Sequence, residues 1–277
     1  MQEELSSNQQ TLKGIVIPPC PEAMTSIMRE AKRPDVDFGS VASLISRDAG
    51  LVGPLLKLAN SPFVGLKSKV SSVMQAMSVL GMQNTLNLVQ NIALRLSLGG
   101  ESQRFEKFWE RSSLTASIAE KIAARFPSQS KNDAYLAALF KDCGIPVLMM
   151  KYPQYQEQVK AQFKPGIFVC DIENALFFTS HAVVGNMLTR NWMLPAHISR
   201  AILYHHDPTI FASAAESREV YDLIGILHMA ECITDEHLHV NEKEWPRFER
   251  DVLHHFEMSA QEFAELKDDI LAVLNGE

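Results

Sequence analysis

ISRDAGLVGPLLKLANSPFVGL, Ile45–Leu66, is the stretch that settles the fold class. Leu51, Leu55, Leu58 and Ala59 recur at the spacing of one helical face. Asp48 stands just before this run, where a carboxylate can accept from the free N–H groups of a helix start. Asn60-Ser61-Pro62 follows it, and proline cannot continue the helical ladder. Asn60 and Ser61 read first as a helix stop that satisfies loose carbonyls, and second as a binding surface.

The same pattern extends in both directions. Pro18, Pro19 and Pro21 lead into a helix over about Pro21–Ala31, and Asp37 caps one over Phe38–Ser46. Ser71 is placed to cap Ser72–Leu80, with Gly81 just past its end, and a further helix covers Gln83–Leu98. Gly99-Gly100 is the best internal boundary. Beyond it the spacing predicts Ser102–Phe126, Asp133–Met150, Gln154–Phe163, Ile172–Phe178, His181–Trp192, Pro195–His206 and Ala215–Asp235. Two C-terminal helices follow, Glu242–Phe256 and Ala260–Leu274, the second with a Ser259/Glu262 capping box. Gly144 and Pro146 interrupt the Asp133–Met150 run just after Asp142 and either bend it or divide it. Strand-like alternation is rare and no hairpin turn lies between alternating runs. The expectation is all-α: a multi-helix bundle with an N-terminal helical subdomain. The expected division is a tail over 1–17, a main domain over 18–236 (parts 18–99 and 101–236), and C-terminal helices over 237–277.

The 277 residues are 46% hydrophobic and 21% charged, enough for a sizeable core. A net charge of -7 argues against broad nucleic-acid binding, which needs a basic excess to displace counterions. No apolar run reaches the roughly 18–20 residues of a membrane span, and the N-terminal MQEELSSNQQTLKG is too polar for a signal peptide. Cys20, Cys143, Cys170 and Cys232 form no CxxC pair, so reduced thiols and a cytoplasmic location are expected. No P-loop, dinucleotide fingerprint or GxSxG elbow is present.

Ile45–Leu66, together with VSSVMQAMSVLGMQNTLNLV (Val70–Val89), resembles the signature of the HDOD family. The residues that carry the resemblance are Asp48, Leu56, Ala59, Asn60, Ser61, Gly65, Leu80 and Gly81, and it extends over about Pro18–Glu236. It implies a bacterial regulatory module of signal transduction, a relative of the HD-type phosphohydrolases. Binding of a protein partner or a nucleotide second messenger, in a groove between two helical halves, is the natural mechanism. Oligomeric state is left open.

Active HD domains gather histidines and aspartates around one or two metals that activate a water. Here AALFKDCGIPVLM (Ala137–Met149) resembles the helix that carries the family's His-Asp pair, with Lys141 in place of the histidine and Asp142 kept. WERSS puts Arg111 at another histidine position, two residues after Trp109. His181, His205 and His206 survive, and Glu231 of Ala230-Glu231 stands where an aspartate is usual. The GYP signature of the cyclic-di-GMP phosphodiesterases is missing. An ammonium cannot ligate a metal, and two like charges about 4 Å apart repel by roughly 4 kcal/mol at a dielectric near 20. Arg111, Lys141, Asp142, His181, His205, His206 and Glu231 are therefore expected to line a degenerate pocket that binds a ligand, with no catalytic residue and no metal. Arg111 or Lys141 is expected to pair with Asp142. The alternative is a phosphohydrolase with an atypical ligand set drawn from Asp142, His181, His205, His206 and Glu231, taking iron, manganese or zinc.

Plainer assignments stand beside these. His181, in a first helical turn, is expected to be exposed or to have a lowered pKa. His205-His206 are read equally as a protonated helix cap or as pocket residues. His237, His239, His254 and His255 are read as surface residues, and Met149, Met150, Met187 and Met193 as core packing.

Overall fold

A computed structural model describes residues 14–60, 69–99, 103–126, 129–163, 167–240 and 244–275. The tail before Gly14, Ser61, Pro62 and Gly65 of the signature, Gly100, and the expected helix starts at Ser102 and Glu242 lie outside the described residues. The described residues form helices and no strand. They divide into two compact units, one over 18–106 and the other over 107–275, to which residues 14–17 also belong.

The first unit holds α1 (Glu22–Ala31), α2 (Phe38–Ser46), α3 (Ala49–Ala59), α4 (Val73–Leu80) and α5 (Met82–Ser97). Asp37 accepts from the N–H groups of Gly39 and Ser40 at the start of α2, and Asp48 accepts from Gly50 at the start of α3. Both caps stand where the sequence places them. The α4 cap is Ser72 rather than Ser71: the Ser72 hydroxyl accepts from Gln75 N–H, while Ser71 donates its own N–H and O–H to Gln75 Oε1. Asn60 is a clasp. Its Nδ2 donates to the carbonyls of Leu56 (2.7 Å) and Val70 (2.8 Å), and its Oδ1 accepts from Val70 N–H (2.8 Å). These bonds seat Val70 beside Ala59 and Ala76 in the core. Gly81 has φ 82°, a left-handed conformation that suits glycine, and lets α5 follow α4 without a linker.

The second unit is built on α6 (Glu106–Ala123), α7 (Lys131–Phe140), α8 (Gly144–Lys151), α9 (Tyr155–Gln162), α10 (Val169–Phe177), α11 (His181–Asn191), α12 (Ala196–Tyr204), α13 (Arg218–His237), α14 (Trp245–His255) and α15 (Ala260–Asn275). α13 packs against α7, α12, α14 and α15, so its sides bury Val220, Ile224, Leu227, Met229, Ala230 and Ile233. A helix enclosed on several sides shows no single apolar stripe. The Ser259/Glu262 capping box forms as expected.

The expected Asp133–Met150 helix is two helices. Pro146 has no N–H to return to the Asp142 carbonyl, and Gly144, just past the break at Lys141–Cys143, is sterically required: a Cβ on it would lie 2.1 Å from the His181 carbonyl oxygen and 2.9 Å from Gly185 N. Only glycine allows α8 to approach α11 this closely. The turn carries Lys141 and Asp142 side by side. Met149 is buried, but Met150 and Met193 are exposed, contrary to the core role expected of them. His255 is not a bare surface residue either, since its Nε2 donates to Asp222 (2.6 Å).

Candidate functional site

Every residue of the expected pocket lies in the second unit, and the fold brings them together. A cavity of about 360 Å³ is lined by Arg111, Lys141, Asp142, His181, His206, Glu231 and, among others, His228, Asp235, Glu244 and Trp245. His205 lies beside it, its ring centroid 3.9 Å from that of His206.

One side of the site is an ion-pair chain. The Lys141 ammonium, nearly fully buried, donates to Asp142 Oδ2 (2.5 Å) and Glu231 Oε1 (3.1 Å). The Arg111 guanidinium donates to the same Glu231 oxygen (2.8 Å) and to Asp235. Burial disfavours the ammonium, but the two carboxylates outweigh it and raise the Lys141 pKa. Burial also works against Asp142, yet the Lys141 ammonium holds it well below the usual carboxylate range, and Glu231 is lowered in the same way. Lys141 thus pairs with Asp142 directly. Arg111 does not bond Asp142, and its hydrogen bonds go to Glu231 and Asp235.

The other side is a group of three imidazoles. His181 Nδ1 lies 2.7 Å from Glu173 Oε2, His206 Nδ1 2.6 Å from Glu244 Oε2, and His205 Nδ1 2.7 Å from the Ile202 carbonyl. Carboxylate and carbonyl oxygens accept, so each Nδ1 carries the proton and each Nε2 turns inward. His181 Nε2 and His206 Nε2 are 3.0 Å apart. Two bare lone pairs would repel there, so one of the nitrogens is protonated. Burial disfavours the His181 imidazolium, but Glu173 outweighs it and raises the pKa well above the ordinary imidazole value. This corrects the expectation of an exposed or lowered His181. Burial, aided by the neighbouring cations, holds His205 down to about 4 and His206 to about 3. They are neutral near pH 7, so neither acts as a protonated helix cap, although His205 Nδ1 does satisfy a carbonyl at the α12 end.

His205 Nε2 is buried without a hydrogen-bond partner, 3.7 Å from Asp142 Oδ1. Asp142 Oδ1 is 3.6 Å from His181 Nε2. Donor atoms of Asp142, His181, His205 and His206 all lie within 4.8 Å of one another. Three inward Nε2 atoms, one of them carrying a proton that an incoming ion would displace and one of them the unpartnered His205 Nε2, fit one divalent transition-metal ion together with the Asp142 carboxylate oxygen. The outer Nδ1 bonds are those that orient metal-ligating histidines.

Residues 17–208 match the model of the HDOD domain. The chain belongs to the HDOD family. Among solved structures, an HDOD domain protein of unknown function from Geobacter sulfurreducens aligns over 99% of this chain and 96% of its own, at 22% identity and a TM-score of 0.74. A candidate phosphohydrolase from Shewanella amazonensis aligns over 96% and 94%, at 21% identity and a TM-score of 0.73. A candidate signal transduction protein from Marinobacter aquaeolei aligns over 95% of this chain and 60% of its own, at 22% identity and a TM-score of 0.66. These likenesses show a shared HD-like all-helical fold. An uncharacterized protein of Treponema pallidum is 25% identical over 197 residues, which is 69% of this chain and 38% of that relative. No helix among the described residues is long and apolar enough to cross a membrane.

The HDOD match ends before Glu231, Asp235 and Glu244, so the site draws on residues beyond the matched span. Sequence reasoning missed Glu173, His228, Asp235 and Glu244. Asp235 had a signal, standing one helical turn after Glu231. Glu173 and Glu244 had none, because tertiary packing alone brings them to His181 and His206.

Proposed function

We propose that this HDOD chain is a non-catalytic regulatory module of signal transduction, acting by binding a protein partner or a small ligand such as a nucleotide second messenger. The observation that carries this reading is the Lys141 ammonium sealed between Asp142 and Glu231. An ammonium supplies charge but is no Lewis acid, and it does not lower the pKa of a bound water as a metal ion does. The cavity of about 360 Å³ is in the range of small-molecule sites, roughly 300–1,000 Å³. The test pairs an assay with a melt. Protein dialysed against Mn²⁺ should hydrolyse bis(p-nitrophenyl) phosphate no faster than an Asp142→Ala variant. Cyclic di-GMP should raise its melting temperature progressively with concentration. Hydrolysis clearly above the variant's background would sink the reading.

A second reading is favoured by the three inward Nε2 atoms: a metal-dependent phosphohydrolase with an atypical ligand set. Asp142, His181, His205 and His206 would hold iron, manganese or zinc, while Glu231, also expected in that set, is taken instead by Lys141 and Arg111. When bound, such an ion supplies an activated water for attack on a phosphate ester. Glu173, the Ile202 carbonyl and Glu244 fix the three rings, while Lys141 keeps Asp142 ionised. Elemental mass spectrometry of protein purified without chelator tests this reading. Near-stoichiometric metal that disappears in Asp142→Ala supports it, and equal trace amounts in both proteins reject it.

A further inference from the structure

The two oxygens of Asp142 face different cation sites. Oδ1 turns to the imidazole nitrogens of His181 and His205, at 3.6 and 3.7 Å. Oδ2 holds the Lys141 ammonium at 2.5 Å, and Glu231 Oε1 holds it from another side at 3.1 Å. One carboxylate therefore stands between a cluster of nitrogen donors and an ammonium that is itself gripped by oxygens. Those oxygens belong to Asp142 and Glu231, the ligand type that hard divalent ions prefer. The ammonium is nearly fully buried and cannot exchange with solvent as a loosely held ion would. Arg111 donates to the same Glu231 oxygen.

We propose that the Lys141 ammonium is a built-in cation that holds the second cation place of this site, so that the pocket accepts a single divalent ion at Asp142, His181, His205 and His206. The inference rests on the metal-binding reading above. The side chain is covalently attached, so this cation is present in every folded molecule whatever metal is available. It neutralises Asp142 Oδ2 and Glu231 and repels a second divalent ion. Lys141 thereby sets the stoichiometry of the site without touching the ion held by the imidazoles.

The experiment counts ions. Wild type, Lys141→Gln and Lys141→Arg are stripped with chelator, dialysed against Mn²⁺ and measured by elemental mass spectrometry, with melting curves taken before and after loading. Wild type and Lys141→Arg should each bind a single ion. Lys141→Gln should bind a second, weaker one, and Mn²⁺ should recover its lost melting temperature more fully than it raises that of wild type. Two ions in wild type would overturn the inference while leaving the metal reading standing. So would a single ion in Lys141→Gln, or a Lys141→Gln protein that stays unfolded with Mn²⁺ present. A wild type that binds no ion would instead reject the metal reading on which the inference rests.

Discussion

Lys141 and Asp142 are neighbours in sequence, so their pairing was open to a reader of the chain alone. What the residues did not reveal was the third member. Glu231 comes from α13 and closes on the ammonium at 3.1 Å. Arg111 carried a legible signal as a cation in a ligand-like position, but the chain does not state its partners, because Glu231 and Asp235 sit on a helix more than a hundred residues away. His181 was misjudged for a related reason. The helix start works against its positive charge, yet the buried Glu173 carboxylate at 2.7 Å dominates. Removing the ammonium leaves the buried Asp142 without its hydrogen-bonded cation and leaves Glu231 with Arg111 alone. Lys141→Ala should therefore lower the stability of metal-free protein by about 3–5 kcal/mol, measured by urea denaturation near pH 7.

Among the helices, starts and stops were the legible features. Asp37, Asp48 and the Ser259/Glu262 box occupy local positions that a local pattern can specify. The division between α7 and α8 was legible at Gly144 and Pro146, but the reason that position 144 must be glycine lies across space at His181. Gly144→Ala would push a methyl group into the α11 backbone and should destabilise the protein by at least about 1–3 kcal/mol. Gly53, in α3, meets nothing within 4 Å of an added Cβ. Gly53→Ala should accordingly raise stability by about 0.4–1 kcal/mol, and thermal melts of the two variants should move in opposite directions. Asp37 offers a pH test. Its hydrogen bond from the Ser40 hydroxyl, with those from the Ser40 and Gly39 N–H groups, lowers its pKa in the folded state. Its contribution is therefore complete above the ordinary aspartate pKa and is lost as pH falls through the lowered folded value. Asp37→Asn should keep much of the cap but weaken the acid dependence, seen by comparing urea midpoints at pH 7 and pH 3.

For the molecule as a whole, the all-α class was readable because helical periodicity is written locally, several residues at a time. The composition of the site was readable only in part: Glu173, His228, Asp235 and Glu244 were missed, because the site is assembled from helices distant in sequence, including α13 and the start of α14 beyond the HDOD match. A fragment of residues 1–208 would contain Lys141 and Arg111 without Glu231 and Asp235, and α7 and α12 without α13. It should fail to give the cooperative thermal unfolding and dispersed amide NMR spectrum expected of the full chain, and a well-folded fragment would show that α13 is dispensable. The contact at Gly144 has a wider consequence. Main chain meets main chain there, so the spacing between the Asp142 turn and the first residue of α11 is held by the frame and not by the side chains displayed on it. Such a frame can outlast its chemistry. In evolutionary terms the side chain at position 141 can change while its mount stays, and an engineer who exchanges it has the charge of Asp142 and Glu231 to rebalance, not the placement of the helices to redesign.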